Sequence, residues 1–184
     1  MKHLRVCVAA MMATFVIWGC TNGNSPQQAG ENDSLAAANA GDSTIYGKCG
    51  EGSMMHTLEL IDDDGKVHHF MINMDDSSVV QGGMLVGDRM AVIRSVVYGD
   101  TMATTVINLT TLQGKWSSLA KSFQIEEGGK VKSNADAESN PWTTWKIYNG
   151  KLLLNTDTFT INELRADSMF LENKEGIFGF QRLK

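Results

Sequence analysis

An all-β chain built from two small barrels is what this sequence of 184 residues predicts, and three observations carry the expectation. From about residue 44 onward apolar and polar residues alternate with a period of two, the spacing of strands whose successive side chains point to opposite faces. Turn-forming residues, including many of the 18 glycines, break that alternation at short intervals, as hairpin-connected antiparallel strands require. No window holds a sustained helical stripe of apolar residues.

The first 43 residues prepare location rather than fold. Lys2 and Arg5 precede the apolar run VCVAAMMATFVIWG, which falls short of the roughly 20 residues a membrane-spanning helix needs. With small Gly19 at its end, residues 1–19 read as a signal peptide. Ile17, Trp18, Gly19 and Cys20 resemble the lipobox of bacterial lipoproteins, with Trp18 bulkier than the usual residue there. The resemblance implies that Cys20 is acylated and begins the mature chain, held to the outer membrane by acyl chains of the palmitate class. Loss of Lys2 and Arg5 then takes the formal charge from −5 to −7. An acidic surface without basic clusters argues against a nucleic-acid partner and against electrostatic adhesion to anionic lipid. Of the three cysteines, Cys7 leaves with the signal and Cys20 takes lipid. Cys49 is left with no disulfide partner and reads as a small buried hydrophobe.

Residues 20–43 contain one aliphatic side chain larger than alanine, Leu35. Such a segment buries too little apolar area to offset the entropy of ordering it, so it reads as a disordered tether. In the bacterial lipoprotein class that the lipobox resembles, members exported to the cell surface usually carry an acidic run directly after the acylated cysteine. Here Thr21, Asn22, Gly23 and Asn24 follow it, and the expectation is a body facing the periplasm.

Residues 44–112 predict five strands, at 45–49, 54–61, 67–74, 89–97 and 102–109. The turn DDDGK separates the second from the third and supplies Gly65 for positive φ,. Five short strands with a Gly-Asp pair, Gly87-Asp88, before the fourth suggest an OB-like barrel, residues 75–88 being an irregular connection,.

Residues 113–184 predict an antiparallel meander. Asn149-Gly150 is a strong two-residue hairpin signal, since both positions accept the positive φ of a type I′ turn. That turn sets Trp145 opposite Leu154 and Ile147 opposite Leu152 on one face. The hairpin closing at NKEG sets Met169, Leu171, Phe178, Phe180 and Arg182 on another shared face. Gly114, Lys115 and Trp116 resemble the Gly-x-Trp opening of lipocalins, and the run of strands resembles the short lipocalin-like domains of Bacteroidetes envelope lipoproteins. The resemblance implies an eight-stranded barrel with Trp116 packed at its closed end beneath a basic residue from near the chain's end, where Arg182 stands.

Metal, calcium and catalytic chemistry find little support in the sequence. If Asp63 to Gly65 form a hairpin tip, His68 pairs near Leu60 and His56 near Ile72, roughly 13 Å apart at the strand rise. His68 and His69 point to opposite faces. Met54, Met71, Met74, Met84 and Met90 fall where gap-filling core side chains are expected, so neither metal nor cofactor is expected. Asp62, Asp63 and Asp64 lack the alternating spacing of a calcium loop. No nucleophile elbow, zinc-protease motif or phosphate loop appears, and the chain is not expected to be an enzyme.

The functional expectation is therefore binding. A small apolar or amphipathic ligand would sit in the C-terminal barrel, lined by Trp145, Ile147, Leu154, Phe159, Ile161 and Phe178. The alternative is a non-catalytic scaffold with solid barrels, contacting an envelope protein or a glycan.

Overall fold

A computed structural model describes residues 41–73, 75–133 and 140–184. The segments expected to be a signal peptide and a tether, with Cys20, lie outside the described residues up to residue 40, as does Met74. Within them the chain is all-β, with a small closed barrel followed by a nearly closed meander barrel.

The first barrel comprises β1 (Ile45–Cys49), β2 (Thr57–Asp62), β3 (Val67–Ile72), β4 (Val80–Gln81), β5 (Arg89–Val97) and β6 (Asp100–Asn108). Strand β1 pairs antiparallel with both β2 and β5, β2 with β3 and β5 with β6. A parallel pairing of β3 with β6 closes the ring. Five strands joined in the cyclic order β1-β2-β3-β6-β5 form the OB-like barrel. Two features were not legible beforehand. Strand β4, inside the expected irregular connection, runs parallel to β6, and Val106 N–H donates to the Val79 carbonyl at 2.7 Å. Strand β6 starts two residues early because Tyr98 and Gly99 make a tight turn with φ of 53° and 92°, leaving the flanking residues free to pair.

Leu58, Leu60, Phe70, Ile72, Met90, Val92, Ala103 and Val106 fill this barrel, with Cys49 among them. Met90 is buried as expected, whereas Met54 and Met71 are 71% and 48% exposed. Met54 sits in the turn that delays β2, exchanging backbone hydrogen bonds with Thr57. Met71 lies between buried Phe70 and Ile72, and the period of two sends it to the outer face.

After a single helical turn, α1 (Leu109–Leu112), the second barrel is built from β7 (Gly114–Ser117), β8 (Ser122–Glu126), β9 (Lys130–Ser133), β10 (Trp145–Tyr148), β11 (Lys151–Leu154), β12 (Asp157–Leu164), β13 (Ser168–Asn173) and β14 (Gly176–Arg182). Its strand order is β10-β11-β12-β13-β14-β7-β8-β9. Across the gap between the two ends of this order, Val131 N–H of β9 donates to the carbonyl of Thr143, just before β10, at 2.9 Å, and the Trp145 indole N–H of β10 to the carbonyl of Glu126, at the end of β8, at 2.6 Å. The expected registers Trp145 to Leu154 and Ile147 to Leu152 are present, with Asn149 and Gly150 at φ of 47° and 74°. Met169 pairs with Phe180 and Leu171 with Phe178.

One apolar cluster joins the barrels. Ala91, Ile107, Leu109 and Leu112 pack with Trp116, Ile147 and Leu164. The Tyr46 hydroxyl reaches across from β1 to donate to Ile147 O at 2.7 Å. Burial, then the charge of the Asp42 carboxylate, pushes its phenol up to about 12 from the ordinary 10. A group whose folded value is raised contributes fully below its unfolded value and loses that contribution as pH rises through the folded one. Tyr46→Phe is expected to lower stability by about 1 kcal/mol at neutral pH. In denaturant melts the difference from the parent should shrink between pH 10 and about 12, and a difference constant across that window would contradict it.

Candidate functional site

The second barrel has a filled body and an open mouth. At the mouth the β7–β8 loop, the strap before β10 and the β11–β12 and β13–β14 turns converge around a cavity of about 460 Å³. Its walls are Trp142, Phe159, Phe178 and Phe180, and its rim carries Lys121, Asp157, Lys174 and Glu175. The rings meet edge to face, with centroids 5.7 Å apart for Trp142 and Phe159 and 6.1 Å for Phe159 and Phe178. This arrangement sets quadrupole edges against faces and holds the rings in fixed orientations.

Asn155 delivers Trp142 to this wall. At φ of 53° it turns the chain between β11 and β12, a conformation asparagine tolerates better than most residues. Its side-chain oxygen accepts from Thr143 N at 2.8 Å and Thr144 N at 3.1 Å, and its amide donates to Pro141 O at 3.1 Å. The Pro-Trp-Thr-Thr strap is thereby tied over the barrel. The Trp142 indole N–H then donates to Asp157 Oδ2 at 3.0 Å, and Lys121 Nζ lies 4.1 Å from the indole centroid. The ring is thus locked at its edge, capped on one face and packed edge to face against Phe123 and Phe159, and it forms part of the cavity wall.

Of the six residues expected to line a ligand site, Phe159 and Phe178 line this cavity. Trp145, Ile147, Leu154 and Ile161 do not line this cavity. They are buried in the packed body with Leu152, Met169 and Leu171, because a barrel of eight strands has just enough interior for its own side chains. Trp142, Lys121 and Asp157 were not singled out from the sequence. The available signal was the doubled tryptophan of WTTW, whose first member precedes any alternating strand.

At the opposite, closed end, Trp116 is fully buried. The Arg182 guanidinium lies over its ring, 4.2 Å from the centroid, and the indole N–H donates to Leu112 O at 2.9 Å. Arg182 also donates to the carbonyls of Thr111, Ala166 and Gln113, the last at 2.8 Å. Gly114, at φ of 136°, gives the guanidinium room, since a Cβ there would stand 2.1 Å from Nη1.

A second groove, of about 420 Å³, runs between Thr104, Thr105 and Ile107 of the first barrel and Lys151, Ile161 and Asn162 of the second. Buried Gln81 beside it is satisfied, donating to Ser78 O at 3.0 Å and accepting from Leu164 N at 2.9 Å. The acidic turn of the first barrel serves as a clasp. Asp62 accepts from Lys66 N at 2.8 Å and pairs with His68 Nε2 at 2.6 Å, and that His68 bond is the first cause holding the carboxyl below its usual range. Asp63 forms a two-pronged ion pair with Arg89. Comparison with protein-family models, with curated proteins and with solved structures finds no match to this chain.

Proposed function

We propose that this chain is a lipid-anchored envelope protein that holds one small amphipathic ligand in the mouth of its C-terminal barrel. The supporting observation is the aromatic-walled cavity of about 460 Å³, within the size range of small-molecule sites. An apolar ring or short chain would lie against Trp142, Phe159 and Phe178, and a polar head would meet the charged rim. Catalysis plays no part in this reading. The deeper residues support the wall rather than the ligand, as a rigid body behind a binding surface limits the entropy lost on association.

Anilinonaphthalene sulfonate, an amphipathic aromatic anion, is a suitable probe. It is expected to bind once per chain with a blue-shifted emission. Phe178→Asp, at a ring already 37% exposed, places a carboxylate at the mouth without opening the core and should weaken binding at least about tenfold. Equal affinity in parent and variant would overturn the assignment. The scaffold alternative draws on the second groove, whose hydroxyl and amide side chains suit a glycan. Probe affinity unaffected by Phe178→Asp, together with glycan binding sensitive to Asn162→Ala, would favour it.

A further inference from the structure

The outward face of the first barrel carries large apolar side chains that its fold does not use. Methionine is ordinarily among the more buried residue types, yet Met71 is 48% exposed. Strand register gives it specific neighbours. Met71 of β3 is the direct partner of Met102 of β6 in the parallel pairing that closes the barrel. The residues after them, Ile72 and Ala103, are both buried, so both methionines point outward from strands about 4.8 Å apart. His69 stands two residues before Met71 on β3 and is exposed on the same face, about 7 Å along the strand. Two thioethers and one imidazole on flexible stems can therefore converge above a single point of the sheet.

The chemistry of that donor set is selective. Glu59, paired with His69 on the same face, would add a hard oxygen, but its carboxylate is turned away to accept from Gly52 N at 3.1 Å. Among the described residues no three His, Cys, Asp or Glu side chains gather as a metal would require. Zinc, calcium and magnesium therefore lack their usual ligands here. Neutral thioethers with imidazole suit a soft monovalent ion. The sequence-based case against metal rested partly on Met71 being a core side chain, and its exposure removes that premise.

We propose that His69, Met71 and Met102 form a surface site for a soft monovalent cation of the copper(I) and silver(I) class. The site is separate from the barrel mouth and does not depend on what the mouth binds. Silver(I), which needs no reductant, is the probe. The full mature chain, in detergent and chloride-free buffer, is expected to take up one silver(I), followed by calorimetry and by the methionine methyl resonances. The Met71 and Met102 methyls should shift on addition, while those of buried Met90 and Met169 stay in place. Met71→Leu, at an exposed position, and Met102→Leu, at a half-buried one, are near-isosteric changes that the fold tolerates, and each should weaken binding at least about tenfold. Cys49→Ser should bind like the parent, because that thiol is 2% exposed and bonded to Ser53 Oγ at 3.3 Å. Failure to bind silver(I), affinity equal to the parent's in either leucine variant, or loss of binding in Cys49→Ser would each overturn the proposal.

Discussion

Trp116→Ala is expected to destabilise the folded chain by about 3–5 kcal/mol, the range for truncating a buried aromatic in a packed core. The indole is fully buried in the cluster that both barrels share, so the cavity opens where collapse of one barrel cannot refill it. The variant also strands the Leu112 carbonyl that accepts from the indole N–H and removes the face beneath Arg182. Arg182→Ala should cost about 2–3 kcal/mol. Packing over the indole is only part of its role, because the guanidinium ties the end of α1, the entry to β7 and the β12–β13 turn through three carbonyls. The two losses should add to less than their sum, since the residues are in contact. Denaturant melts of the three variants measure this. A Trp116→Ala shift under about 1 kcal/mol, the scale of an exposed change, would remove the closed end from the account.

The largest effect on location is expected from Cys20→Ser. Acyl chains anchor at about 0.8 kcal/mol per buried methylene, so several chains make release negligible while a bare serine has no such anchor. The lipobox resemblance implies that the variant remains an uncleaved precursor, because the peptidase of that lipoprotein class acts after acylation. Metabolic labelling with an alkyne fatty acid reads the result directly, and label retained by Cys20→Ser would falsify the anchor. Protease added to intact cells then reports which side the body faces. Survival until the outer membrane is permeabilised is the expected outcome, given the uncharged residues from Thr21 to Asn24.

Most of the fold was legible because alternation and turn chemistry act locally. Asn149-Gly150 fixed its hairpin register to the residue, and Asp62 to Gly65 placed the β2–β3 turn. The site was less legible, for a reason that Trp145 and Trp142 illustrate. Both are buried tryptophans in one short segment, but only Trp142 reaches the mouth, through a strap tied by an asparagine 13 positions later. Periodicity identifies which face a residue takes, not how far along the barrel axis filling side chains give way to open space. Met71 shows the converse limit. Its apolarity suggests the core, whereas the burial of Phe70 and Ile72 on either side turns it to the outer face.

The claim that the mouth holds a ligand is tested most directly by native mass spectrometry of the mature protein extracted from its own membrane. The account predicts a population heavier than the lipidated chain by one small molecule, strongly depleted in Phe178→Asp. The lipidated chain alone, with the same mass profile in both proteins, would contradict it.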